Sequence, residues 1–172
     1  MVDKKLKIGW FTFACCEDST IMFTEMLNTH YRQWMKQIDF RHAKVLQSKN
    51  VWEKMDVAFV EGAITSDKQV EKLKKIRSLA TKVVAIGACA CIGMPSSQRN
   101  QFDDATKAEI SFLLDRFKYS EKVSKISDIV TVDDQVNGCP MNEQIFLEVL
   151  NKYLKEFGII SPENKNTSQK KT

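Results

Sequence analysis

The sequence contains no apolar run near the roughly 20 residues that a helix needs to cross a bilayer. It shows no leader with a small-residue cleavage site and no twin-arginine motif, so we expect a cytoplasmic protein without direct membrane insertion. No basic stripe alternates with aromatic residues, and 26 basic against 22 acidic residues give a net charge of only +4. A nucleic-acid partner is therefore not expected.

The cysteines show none of the spacings that are typical of structural zinc sites. They occur as one adjacent pair, one pair separated by a single residue, and one lone cysteine, whereas zinc knuckles use Cys-x2–4-Cys. A thioredoxin-like pair is also absent from the first loop, because Ser19 stands where a second cysteine would follow Cys16. In the cytoplasm such thiols are typically metal ligands or catalytic groups rather than a disulfide framework. The five are Cys15, Cys16, Cys89, Cys91 and Cys139.

Apolar segments of strand length alternate along the 172 residues with segments of helical periodicity. This alternation predicts βαβ units, and hence a doubly wound parallel sheet with helices on both faces, a three-layer α/β/α fold. We expect one folded domain over 1–158 and a polar, disordered tail over 159–172. The predicted strands are 5–13, 40–46, 55–64 and 82–90, with a short extended piece over 128–138; the predicted helices are 18–38, 65–80, 105–119 and 142–157.

The cysteines follow the carboxyl ends of the predicted strands. Cys15 and Cys16 come after the first strand, and Cys89 and Cys91 close the fourth. Cys139 follows the last extended segment. Because open α/β sheets bind their ligands at this edge, three loops far apart in sequence are expected to meet at one site.

A 4Fe–4S cluster suits this distribution of thiols. Each thiolate of such a cluster binds a different iron, so adjacent cysteines can reach two corners and the other ligands can come from distant loops. Gly87, Gly93 and Gly138 would let the backbone approach the cube and direct N–H groups at its sulfides. The residues alone leave open a second interpretation, in which the cysteines are buried thiols without a role.

Four motifs at these strand ends resemble those of a known family. Gly-x-Cys-Ala around Cys89 and Gly-Cys-Pro-Met around Cys139, 50 positions later, form the specific combination. The chain resembles the cluster-binding small subunit of cytosolic nickel–iron hydrogenases and the homologous 20-kDa subunit of complex I, over residues 6–150. The motifs are FTFACCEDS after the first strand, VEGAI after the third, IGACACIGMPSSQRN after the fourth and VNGCPMNEQIF before the last helix.

The resemblance implies a flavodoxin-like domain that holds one proximal 4Fe–4S cluster against a large catalytic subunit. The nickel–iron centre would lie in that partner, so this chain would belong to an oxidoreductase without being active alone. No cysteine-rich ferredoxin segment is present, so electrons would leave through a further carrier subunit. The implied ligands are Cys15, Cys16, Cys89 and Cys139, with Cys91 and Ser19 as alternates.

The first loop departs from the hydrogenase pattern, which has Cys-x-x-Cys. Cys16 matches the first of those cysteines and Ser19 occupies the second, whereas adjacent cysteines are similar to complex I. One alternative is therefore a complex I-like subunit without hydrogenase activity, and another is an iron-free flavodoxin-like redox or binding protein. Glu61 matches a family acid near the cluster and subunit interface, where it could neighbour proton or electron transfer; its alternative role is a helix N-terminal acid favoured by the dipole.

Overall fold

A five-stranded parallel sheet forms the centre of the computed structural model, which describes residues 4–161. The strand order is β2-β1-β3-β4-β5, and every neighbouring pair is parallel. This is the flavodoxin-like doubly wound order, in which the sheet changes winding direction between β1 and β3. The predicted fold class is confirmed. The strands are β1 (Leu6–Thr12), β2 (Ile38–Ala43), β3 (Met55–Glu61), β4 (Ala80–Ile86) and β5 (Asp134–Val136).

Helices cover both faces of the sheet and produce two apolar layers. On one face, Trp10 of β1 stacks on Phe23 with ring centroids 4.3 Å apart, and Phe146 meets both rings edge-on. On the other face, Phe11 of β1 joins a core cluster with Leu73. Adjacent β1 residues thus serve opposite layers, which explains the continuous apolar run. The helices are α1 (Asp18–Gln37), α2 (Asp67–Leu79), α3 (Gly87–Ile92), α4 (Asp104–Phe117) and α5 (Glu143–Glu156).

Two local predictions were wrong. Cys89 and Cys91 lie on α3 rather than at the end of β4, because Gly87 adopts φ +79° and turns the chain out of the sheet. Most of 128–138 is irregular, and only three residues pair with β4.

The described chain extends slightly past the predicted domain boundary at residue 158. Ile159 and Ile160 pack against the core, and the Ile159 amide donates to the Leu154 carbonyl. The rest of the predicted tail, 162–172, lies outside the described residues. Between residues 4 and 161, none of the helices combines the length and apolarity needed to span a membrane.

Candidate functional site

Four cysteines from three separate loops line one hollow at the carboxyl edge of the sheet. Cys15 and Cys16 come from the β1–α1 loop, Cys89 from α3 and Cys139 from the β5–α5 loop. Glu61, the last residue of β3, closes the floor of this cysteine hollow. The structure therefore brings together the predicted ligand set and the predicted neighbouring acid.

Backbone pairing fixes the loop that carries the adjacent cysteines. The Phe13 amide donates to the Glu61 carbonyl at 2.8 Å, and Ala14 and Ala63 exchange two hydrogen bonds of 3.1 and 3.0 Å. These bonds continue the backbone hydrogen bonding between β1 and β3 beyond the ends of the two strands. Cys15 follows directly and is held half-buried, with its Sγ 3.7 Å from the Phe13 carbonyl oxygen.

A serine hydroxyl joins the Cys89 segment to the first loop. Ser96 Oγ lies 3.2 Å from Cys89 Sγ and 3.2 Å from the carbonyl oxygen of Ala14. Cys89 itself is buried and shares a small apolar cluster with Cys15. Ser96 was missed at the sequence level, because nothing in the segment MPSSQRN distinguishes it from Ser97, which contacts only a methionine sulfur there.

Gly138 shapes the third loop. Its φ of +127° disfavours an L side chain, and an added Cβ would lie 2.4 Å from the Pro140 carbonyl oxygen. The Gly138 carbonyl also accepts a 2.7 Å hydrogen bond from the Ala88 amide at the start of α3. This bond ties the loop of Cys139 to the helix of Cys89.

The hollow has a buried side and an exposed side. Cys89 is buried and Cys15 is half-buried, whereas Cys16 and Cys139 are exposed. A group held among all four thiols would thus have one flank inside the protein and one at its surface.

Glu61 is only 3% exposed and is paired on both carboxylate oxygens. Its Oε1 accepts from the Ser19 amide at 3.1 Å, and its Oε2 accepts from the Thr20 hydroxyl at 2.5 Å. Burial raises the pKa of Glu61, and the bonds from Thr20 and Ser19 oppose that rise. Glu61 is thus both a site neighbour, as its motif predicts, and an acceptor at the start of α1. Sequence reasoning missed the role of Thr20, since the contact joins positions 41 residues apart.

The inner thiol is held in its neutral form in the absence of a metal. Burial raises the pKa of Cys15 to about 12, and the charges of Glu61 and Cys89 raise it further, against a backbone hydrogen bond that lowers it. A coordinating iron deprotonates a cysteine thiol outright, so metal binding here would release protons.

The two alternate ligands have other contacts. Cys91 is buried in the core on the α2 side of the sheet, where its Sγ donates to the Ala85 carbonyl at 3.5 Å, and it does not line the hollow. Ser19 does line it, but its hydroxyl oxygen accepts from the Met141 amide at 3.2 Å. These contacts favour the four-cysteine set over either alternate.

The number of thiols at the hollow equals the number of cysteine ligands that a 4Fe–4S cluster takes. Within residues 4–161, no group of three or more His, Cys, Asp or Glu side chains is arranged to share one metal ion. A 4Fe–4S cube instead needs thiolates spread around it, each on a different iron. Four thiols around one hollow, with glycine backbone on two sides at Gly87 and Gly138, fit that requirement.

The sheet order and a cysteine-lined carboxyl edge define a flavodoxin-like α/β protein with a candidate metal centre. Residues 15–153 match the model of the family described as NADH ubiquinone oxidoreductase, 20 kDa subunit. The chain belongs to this family, as the four motifs predict.

Curated relatives of the chain include components of hydrogenases. The delta subunit of the NAD-reducing hydrogenase HoxS of Cupriavidus necator is 23% identical over 162 residues, which cover 85% of this chain and 77% of that protein. A component of the F420-non-reducing hydrogenase of Methanothermobacter marburgensis is 24% identical over 168 residues, covering 88% of this chain and 54% of that protein. The chain thus spans about half the length of the second relative.

One solved structure supports the fold. A chain in the crystal structure of an NAD+-reducing NiFe hydrogenase in the H2-reduced state aligns with a TM-score of 0.76 and 24% identity. The alignment covers 88% of this chain and 92% of that chain. At this identity the likeness establishes a shared fold.

Proposed function

We propose that the protein is the electron-transfer small subunit of a hydrogenase-type oxidoreductase, and that it holds one 4Fe–4S cluster on Cys15, Cys16, Cys89 and Cys139. The observation that carries the proposal is the meeting of these four thiols from three distant loops in one hollow. The hydrogenase components among its relatives support the functional context.

When bound, the cluster would take up and release one electron at a time. This chain would bind the cluster and help to set its reduction potential. The buried Cys89 thiolate has the Ser96 hydroxyl within 3.2 Å, and hydrogen bonds to cluster sulfurs help to set the potential. Glu61 places a buried acid on the floor of the hollow, where its protonation state would alter the local charge.

Hydrogen activation would take place at a nickel–iron centre in a separate large subunit. The exposed flank at Cys16 and Cys139 is where such a partner would cover the cluster. A single cluster cannot carry electrons far, so a further carrier subunit would accept them. We place the assembly in the cytoplasm, where the thiols stay reduced before they bind iron.

Anaerobic purification of the full chain tests the cluster directly. The expected product is brown and contains about four irons and four acid-labile sulfides per chain, in keeping with one cube. Dithionite reduction should then produce the paramagnetic signal of a reduced cluster. A colourless, iron-free protein from an anaerobic preparation would instead support the iron-free flavodoxin-like alternative.

The adjacent cysteines favour a second candidate, a complex I-like subunit without hydrogenase activity. The identity of the large subunit that co-purifies under anaerobic conditions distinguishes a hydrogenase subunit from a complex I-like subunit. A partner with two Cys-x-x-Cys pairs, together with hydrogen-dependent dye reduction by the complex, supports the hydrogenase. A partner that lacks those pairs rejects the hydrogenase assignment and leaves the cluster assignment intact.

A further inference from the structure

A second cavity lies at the carboxyl ends of β1 and β2. It encloses about 310 Å³, which falls at the lower end of the roughly 300–1,000 Å³ of small-molecule sites. It shares no lining residue with the cysteine hollow, so its interpretation does not depend on the proposed cluster. It lies at the carboxyl edge of the sheet, where open α/β sheets bind their ligands, next to the crevice between β1 and β3 at which the strand order reverses.

Two lysines line this β1–β2 pocket without a carboxylate partner. Among the ion pairs of residues 4–161, none includes Lys44 or Lys72. The half-buried Lys72 ammonium lies 4.9 Å from the centroid of the Phe13 ring, and burial and the charge of Lys44 lower its pKa. Two ammonium groups at one cavity, neither within ion-pair distance of a carboxylate among the described residues, favour an anion between them.

A buried imidazole adds an independent observation. His42 is 2% exposed and lines the pocket, and its Nδ1 is buried without a hydrogen-bond partner among the described residues. Its ring is fixed by stacking on Phe11, with centroids 4.4 Å apart, and by an edge contact with Trp52 at 5.2 Å. A buried polar atom without a partner is unusual in a folded protein, so His42 is a distinctive residue in the pocket wall.

One acid belongs to the same wall. Glu17 also lines the pocket, and with a neutral His42 the two lysines against one glutamate leave a net charge of +1. A carboxylate accepts hydrogen bonds from hydroxyl groups. The pocket thus offers cations for an anionic group and an acceptor for a hydroxylated one.

We propose that the β1–β2 pocket binds a hydroxyl-bearing organic phosphate, with the phosphate between Lys44 and Lys72 and the remainder against Glu17 and His42. A phosphate monoester carries close to two negative charges at neutral pH and pairs with both ammonium groups. The 310 Å³ of the pocket leaves room for more than the phosphate itself.

Calorimetric titration of the anaerobically purified full chain tests this site with ribose 5-phosphate, inorganic phosphate and ribose as probes. We expect one saturable site for ribose 5-phosphate, weaker binding of inorganic phosphate and none of ribose. Equal affinity for the two phosphates would overturn the organic part of the proposal. Absence of saturable binding of both at millimolar concentration would overturn the whole.

Matched variants locate the binding. Lys44→Met and Lys72→Met should each weaken ribose 5-phosphate binding by about ten- to a hundredfold, the usual effect of losing a charged hydrogen bond. Lys75→Met is the control. Lys75 lies on α2, as Lys72 does, but its ammonium lies over the Trp52 ring and outside the pocket lining. Lys44 is exposed, so its variant reports on binding even if the Lys72 variant folds poorly. An equal loss of affinity for ribose 5-phosphate in all three variants would indicate general attraction of the phosphate to a basic face and would reject the site.

Discussion

The Thr20 hydroxyl donates to the Glu61 carboxylate at 2.5 Å, and it accepts a 2.8 Å hydrogen bond from the Trp10 indole. One hydroxyl thus connects the floor of the cysteine hollow to the aromatic core. Thr20→Val keeps the shape of the side chain but leaves Glu61 with one fewer donor and the indole without an acceptor. We expect the free energy of unfolding to fall by about 1–3 kcal/mol in urea titrations.

Thr24→Val is the matched control for this prediction. Thr24 lies on the same helix, and its hydroxyl donates only to the Ile21 carbonyl one turn back. Its loss should change the free energy of unfolding by less than about 0.5 kcal/mol. Equal effects of the two substitutions on the free energy of unfolding would show that the hydrogen bonds of Thr20 add no stability.

The proposed ligand set predicts opposite outcomes at two cysteines. Cys139→Ala should lose most of its iron, because an exposed corner of the cube would have no thiolate. Cys91→Ser should keep its iron, since Cys91 lies outside the hollow and a serine hydroxyl can still donate to the Ala85 carbonyl. Iron and sulfide analysis of both proteins measures this. A fully loaded Cys139→Ala protein, or an iron-free Cys91→Ser protein, would show that the ligand set is wrong.

Ser96 is predicted to tune the cluster. A hydrogen bond to a cluster thiolate stabilises the more negative, reduced form, so Ser96→Ala should lower the reduction potential. If the bond is stronger in the reduced state by about 1 kcal/mol, its loss corresponds to a shift of about 40 mV for one electron. Potentiometric titration monitored by paramagnetic resonance measures the shift. Ser97→Ala, which removes a hydroxyl that contacts Met94, should leave the potential unchanged.

The Gly138 loop should not tolerate a side chain. Gly138→Ala combines a backbone at φ +127° with a Cβ 2.4 Å from a carbonyl oxygen, whereas the Cβ of Gly158→Ala would be 4.0 Å from its nearest neighbour at φ +69°. Backbone strain alone should cost Gly158→Ala about 1 kcal/mol. The clash and the less favourable φ together should cost Gly138→Ala at least about 2 kcal/mol more, in thermal unfolding, and reduce its iron content. Similar melting temperatures of the two variants would contradict the assigned role of Gly138.

His42 should make the protein less stable in acid. Burial, then the charges of Lys72 and Lys44, lower its pKa from 6.5 to about 4 in the folded protein. Between these values the unfolded chain binds a proton that the folded chain does not, so stability decreases as the pH falls through this window. The loss amounts to at most about 3 kcal/mol.

His42→Phe keeps the aromatic stacking and removes the titration. We expect the variant to lose less unfolding free energy than the wild type between pH 6.5 and pH 4, as measured by urea titration at several pH values. The carboxylates titrate equally in both proteins, so their contributions to the free energy of unfolding cancel in the difference between the two. Parallel stability curves for the two proteins would contradict this assignment.

The sheet and the cysteine edge could be predicted because they depend on local patterns. The continuous apolar run of β3 is typical of a strand buried on both faces, and Ser66 caps α2 as its position predicts, accepting from the Gln69 amide. Parallel strands then place their carboxyl ends, and the residues that follow, at one edge. Cys15 and Cys139 could be brought together from this rule alone.

The remaining features depend on contacts that no periodicity encodes. The short apolar segment around Cys89 is equally compatible with a strand or a buried helix, and Gly87 decides the outcome through its backbone conformation. The β1–β2 pocket combines His42 and Lys44 at the end of β2 with Lys72 from α2, so no spacing signals it.

The unequal exposure of the four thiols has a consequence for maturation. Cys15 and Cys89 lie deeper in the hollow than Cys16 and Cys139, which face solvent. A large subunit seated on the exposed flank would block delivery of iron and sulfide. Assembly would therefore proceed in one order, cofactor first and docking second, and an empty small subunit already locked into the complex would stay empty.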